Sequence, residues 1–189
     1  MNIIQKQATE FIKFKMRDHR NYKDFIDDVR SELWEYKKDP YKIEFVEKLI
    51  KEAKIRYDEH MLVCTNKNSC RTNKFYENTL FFLQEELEEL EENLTPESFN
   101  KIEKETINET LQIILDDLNK LKLGQEITYN DLSDEFEELK DLYYLDKKNW
   151  LQLFQGKVSE MVAGGVISET VSKSIVKILF ENYEKLIGG

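Results

Sequence analysis

Apolar residues fall three and four positions apart along almost the whole chain. Residues 3–16 align Ile4, Ala8, Phe11 and Ile12, and residues 22–37 align Tyr22, Phe25, Ile26, Val29, Leu33 and Tyr36. A repeat near 3.6 residues puts such positions on one face of a helix, so both segments are expected to be amphipathic helices. In the segment DPYKIEF, Asp39 is the expected cap and Pro40 the first helical residue, where no N–H is needed. From Pro40 the stripe runs through Val46, Leu49, Ala53, Tyr57 and His60 to Cys64.

The polar stretch TNKNSCRTN interrupts this pattern. Asn66, Asn68 and Ser69 favour turns because their side chains bond to nearby backbone. Thr72 or Asn73 is the expected cap of the next helix, which carries Tyr76, Leu80, Leu83, Leu87, Leu90 and Leu94. That alternation of four and three is the seam of coiled-coil-like packing. In LTPESF, Thr95 reads as a cap and Pro96 as an opening residue. The stripe then passes through Ile102, Ile107, Leu111, Ile114, Leu118 and Leu121 and ends at Gly124, a residue that tolerates a left-handed turn. Residues 131–144 form a shorter helix on Leu132, Phe136, Leu139 and Tyr143. Trp150, Phe154, Val158 and Met161 mark another. After GGVIS, with Ser168 as cap, the last helix carries Val171, Ile175, Ile178 and Leu186.

No stretch sustains a two-residue alternation, and QEIT at 125–128 is too short to build a sheet. The expected fold is therefore all-α: an antiparallel bundle of about seven helices joined by short connections. The start signal at Thr95–Pro96 is the best internal boundary, dividing helical subdomains 1–94 and 95–189.

Composition sharpens this reading. Hydrophobic residues make up 40% of the 189, with 11 Phe, 9 Tyr and 2 Trp. That is enough apolar surface for a packed core, which excludes a disordered chain. No run approaches the roughly 18 apolar residues of a spanning helix, and the N-terminus lacks the apolar block and small-residue site of a secretory signal. The expectation is a cytoplasmic protein with no membrane partner. In a reducing compartment, two cysteines are thiols or metal ligands rather than a disulfide.

Charge is unevenly spread. Residues 1–75 hold 17 lysines and arginines against 13 acids; residues 76–189 hold 11 against 25, within a net charge of −10. Such asymmetry is a cue for interaction surfaces. Two candidates stand out. Lys67, Arg71 and Lys74 lie in an acid-free stretch before a helix N-terminus, a place suited to an anionic group. Glu85, Glu88, Glu89 and Glu92 belong to the run EELEELEE, whose charge would attract a basic partner.

Three of the four Cys and His residues lie within EHMLVCTNKNSC. His60 and Cys64 are four apart, on one helical face, and Cys70 follows in the loop. Two readings compete. In the first, which the apolar stripe favours, His60 and Cys64 simply pack, since free cysteine behaves as a small hydrophobe. In the second, His19, His60, Cys64 and Cys70 hold a structural zinc ion in tetrahedral geometry. The C-x5-C spacing is not the C-x-x-C of thioredoxin-like redox chemistry.

Motifs for phosphate loops, dinucleotide folds, nucleophile elbows and zinc peptidases are missing from the sequence. The expectation is a non-enzymatic helical interaction protein of the inhibitor, immunity or adaptor kind, without a cofactor, that binds a protein. One alternative is a nucleic-acid-associated regulator using the basic N-terminal half, with Arg17, Arg20, Lys23 and Arg30. The other is an enzyme working through carboxylates.

Overall fold

A computed structural model of the chain describes residues 1–18, 21–120 and 126–187, with side chains for 1–16, 21–117 and 132–182. The protein is all-α. Among the described residues there are eight helices and no strand: α1 (Ile3–Asp18), α2 (Tyr22–Leu33), α3 (Asp39–Val63), α4 (Arg71–Glu92), α5 (Lys101–Lys120), α6 (Glu126–Lys140), α7 (Lys147–Ala163) and α8 (Glu169–Ile187). No helix among them is long and apolar enough to cross a membrane. The chain divides into two compact units, Met1–Thr95 and Pro96–Gly189.

In the first unit, side-chain caps start the first two helices. Asn2 Oδ1 accepts from the Gln5 N–H at 2.9 Å and Asn21 Oδ1 from the Lys23 N–H at 3.1 Å, satisfying amides that have no partner inside the helix. The buried face of α1 is Ile4, Ala8, Ile12 and Met16; that of α2 is Phe25, Ile26, Val29 and Leu33. Phe11 bridges them to α3, with its ring 5.9 Å from Phe25 and 5.5 Å from Phe45. The α3 helix opens with Lys38 as its cap residue and Asp39–Pro40 already inside, one residue earlier than the sequence suggests. It buries Ile43, Phe45, Val46, Leu49 and Ala53, while α4 contributes Leu83 and Leu87. Tyr76, Leu80 and Leu90, from the expected seam, are only half-buried.

In the second unit the rings of Phe99, Tyr143, Trp150 and Phe154 stack and tilt against one another at centroid spacings of 5.2–5.9 Å. The buried indole N–H of Trp150 donates to the Leu139 carbonyl at 2.8 Å, fixing α7 across the end of α6. Lys157, seven residues on, reaches back to Glu135 and Glu138, so α6 and α7 run antiparallel. Ser168 Oγ caps α8 by accepting from the Val171 N–H, and Gly165 takes the positive φ of 72° needed between α7 and α8.

The start of α5 departs from the sequence reading. Thr95 and Pro96 open a turn, not a helix. The helix begins at Lys101 behind a reciprocal cap: Asn100 Oδ1 accepts from the Glu103 N–H at 2.9 Å, and the Asn100 N–H donates to Glu103 at 3.0 Å. Glu103 is thereby buried, its charge met by Lys147 Nζ at 2.6 Å, and Ile102, expected in the core, is exposed. Leu118, Leu121, Gly124, Leu186 and the segment 125–128 have side chains or backbone outside the described residues.

Candidate metal centre and charged faces

The α3–α4 hairpin changes character along its length. Near the centre of the unit it packs through Leu49, Ala53, Leu83 and Leu87. Past Ala53, α3 continues for ten residues without a buried side chain. Between Ala53 and Leu83 the buried positions are Asn73 and Thr79, both polar. The stripe that carries Tyr57, His60, Met61 and Cys64 therefore does not enter a core; these side chains are half-buried.

The three thiol and imidazole groups meet at this tip. His60 comes from the last turn of α3, Cys64 is the residue that ends α3, and Cys70 is the residue that starts α4. Helical spacing projects His60 and Cys64 together. The loop of Thr65–Ser69 then folds back. Asn73 ties it down by donating to the Lys67 carbonyl at 2.9 Å, and the Ser69 N–H reaches the Asn66 carbonyl. Cys70 Sγ consequently lies 3.3 Å from His60 Nε2, and the donor atoms of His60, Cys64 and Cys70 all lie within 4.8 Å of one another. Tyr76 flanks the imidazole at 6.4 Å between centroids and lies 6.0 Å from the ring of Tyr57, which donates to Glu77 at 3.0 Å.

The thiol of Cys70 is shifted down from the usual range to about 6, chiefly because the Asn73 amide N–H faces the sulfur, then because of His60, Cys64 and the Thr72 amide. No capping hydrogen bond of regular geometry closes there. The pull comes from the first-turn amides of a helix, where unpaired N–H groups favour negative charge. At this N-terminus the group that the first-turn amides face is the chain's own sulfur. Lys67, Arg71 and Lys74, its near neighbours in sequence, are exposed. Of the sequence-derived ligand set, His60, Cys64 and Cys70 come together; His19 lies outside the described residues. The sequence suggests Thr72 or Asn73 as the cap of α4, but the cap residue is Cys70, and Asn73 lies inside the first turn, where its side chain holds the loop and its amide meets Cys70. Its place three residues after Cys70 is the available signal, because that is where a first-turn amide points back at the residue preceding the helix.

The glutamate run splits between two environments. Glu86 pairs with Arg30 across α2 and α4. Glu85, Glu88, Glu89 and Glu92 are exposed on α4, and among the described residues no lysine or arginine lies in ion-pair contact with them. Their spacing of three and four places them on one face. In the basic half, Lys15 pairs with Asp28 at 2.9 Å and Arg30 is taken by Glu86, while Arg17 and Arg20 have side chains outside the described residues. Among the described residues the two buried carboxylates are also engaged: Glu44 accepts from Gln5 at 2.6 Å, and Glu103 from Lys147. Among the described residues, His60, Cys64 and Cys70 form the one group of three or more side chains arranged to share a metal ion. Compared with family models, curated proteins and solved structures, the chain matches none.

Proposed function

We propose that this is a non-enzymatic helical interaction protein, of the inhibitor, immunity or adaptor kind, that binds a protein partner through a basic surface on that partner. The observation that carries this reading is the α4 face of Glu85, Glu88, Glu89 and Glu92, exposed and outside any ion pair while the neighbouring Glu86 pairs with Arg30, whose charge reaches Glu89 only at longer range. Like charges three and four apart on a helix repel and destabilise it. Acids in the last turn also oppose the helix dipole, and α4 has no basic residue there. A chain that keeps this arrangement gives up some stability for a strongly negative surface. Such a surface steers a cationic partner into encounter and disfavours acidic ones.

The test is a variant carrying Glu85→Gln, Glu88→Gln, Glu89→Gln and Glu92→Gln, used beside the wild type to retain partners from the native host at low and at raised salt. The expected result is a basic protein retained by the wild type at low salt, released as the ionic strength passes about 0.15 M, where the Debye length is about 8 Å, and absent from the variant. A partner held equally by both proteins, at either salt, would refute the role of this face.

A further inference from the structure

We propose that His60 Nε2, Cys64 Sγ and Cys70 Sγ bind a Zn²⁺ ion that closes the tip of the α3–α4 hairpin. Zinc takes nitrogen and thiolate donors at about 2.0–2.3 Å in a tetrahedron, which sets donor–donor edges of about 3.6–3.8 Å. The three donors here already lie within 4.8 Å of one another, with one edge at 3.3 Å. Sub-ångström adjustments bring them onto one ion. Two thiolates and a neutral imidazole also balance the +2 charge, so that the half-buried centre is neutral when filled.

Local architecture supports the same conclusion independently. No apolar side chain is fully buried between Ala53 and Leu83, so the tip is held by half-buried rings such as Tyr57 and Tyr76 and not by a closed core. Yet the exposed loop has a fixed path: Asn73 anchors it at Lys67, and Cys70 lies back against His60. A polar loop pinned so that three soft and borderline donors converge is the arrangement in which metal binding supplies the missing cohesion. Each metal–sulfur bond forms to a thiolate sulfur, any remaining thiol proton passing to solvent, and no oxidant or reductant takes part.

The experiment uses the full chain, tag-free, reduced with a phosphine and stripped of metal. Cobalt(II) is titrated first, then displaced with zinc. The expected result is one cobalt per chain, with the intense ligand-field bands of a tetrahedral ion and thiolate-to-cobalt charge transfer, both abolished by one equivalent of zinc. Zinc should also protect Cys64 and Cys70 from alkylation, which mass spectrometry reads in the wild type without any variant. Cys64→Ser, Cys70→Ser and His60→Ala should each weaken binding at least about a hundredfold, since loss of an outer-shell partner alone costs 10- to 100-fold. Circular dichroism of each variant checks that the helices remain. Cobalt bound only in the pale octahedral form, thiols alkylated at the same rate with and without zinc, or serine variants that bind as the wild type does would each overturn the assignment.

Discussion

The core around Trp150 and the tip of the α3–α4 hairpin are both points where helices meet, and they are held by different physics. Around Trp150 four rings bury one another, with the Trp150 N–H bonded to the Leu139 carbonyl and the Tyr143 hydroxyl to Asn108. At the tip the buried side chains are Asn73 and Thr79, and the groups in contact are two sulfurs and an imidazole. Burial is non-directional and tolerates approximate geometry, because it scales with area removed from water. Donor atoms act only at fixed distances, so the hairpin tip depends on a loop of defined path. The lesson is that helix pairing in this chain has two regimes, and that perturbing each should leave a distinct signature.

The largest effect is expected in the aromatic core. Trp150 is fully buried, and Trp150→Ala removes its stacking against Tyr143 and Phe154 as well as the bond to Leu139. Large-to-small changes of this type cost about 3–5 kcal/mol. Denaturant unfolding followed by circular dichroism measures it. Trp150→Phe keeps most of the ring contact and should cost clearly less. Equal losses for the two would mean that the hydrogen bond, not the area, dominates there.

The hairpin tip should respond to metal rather than to truncation. With zinc at about 100 times its dissociation constant, the first unit gains about 2.7 kcal/mol if the ion binds only the folded chain. The gain should vanish with a chelator and should appear in hydrogen exchange as added protection at the α3–α4 tip. Protection spread over α1 and α2 as well would make the tip part of the main core. In the metal-free protein, alkylation of Cys70 should accelerate as pH rises and level off above about 6, since its thiolate forms there. An ordinary thiol profile would mean that the Asn73 amide and His60 do not face the sulfur in solution.

How far these regions are legible in the sequence follows from the same contrast. The helices were readable because three-to-four spacing is a local signal, and Trp150, Phe154, Val158 and Met161 all fall in the core as their spacing implies. The start of α5 was not, because Thr95–Pro96 and Asn100–Glu103 offer equally good local starts; what decides is the remote Lys147, which makes burial of Glu103 acceptable. Ile102 faces solvent because it lies five residues before Ile107, out of step with the buried stripe, whose place on that turn is taken by Glu103. At the hairpin tip, the pairing of His60 with Cys64 was visible from their spacing of four. The approach of Cys70 was not, because it depends on the Asn73–Lys67 tether, and loop paths leave no periodicity to read. The unequal fates of Glu86 and its neighbours were equally hidden, since Arg30 lies 56 residues away in sequence.

The smallest effect is the most discriminating for the α4 surface, because its sign differs between adjacent glutamates. Glu85 and Glu89, and Glu88 and Glu92, are like-charged pairs four apart, and pairs three apart link them further. Each such repulsion costs about 0.2–0.5 kcal/mol. Replacing the four by glutamine should therefore raise stability by about 1 kcal/mol at low ionic strength, with the gain shrinking as salt screens the charges. Glu86→Gln removes the partner of Arg30, a pair that is exposed on the arginine side. Exposed pairs contribute about 0.2–1 kcal/mol, so this change should lower stability by an amount in that range. Parallel denaturation curves for the two variants at low and high salt make the comparison. Opposite signs at low salt, converging at high salt, are expected if the exposed face is a stored repulsion. A fall in stability for the fourfold variant would mean that those glutamates support the fold, and the surface would then need no partner to account for it.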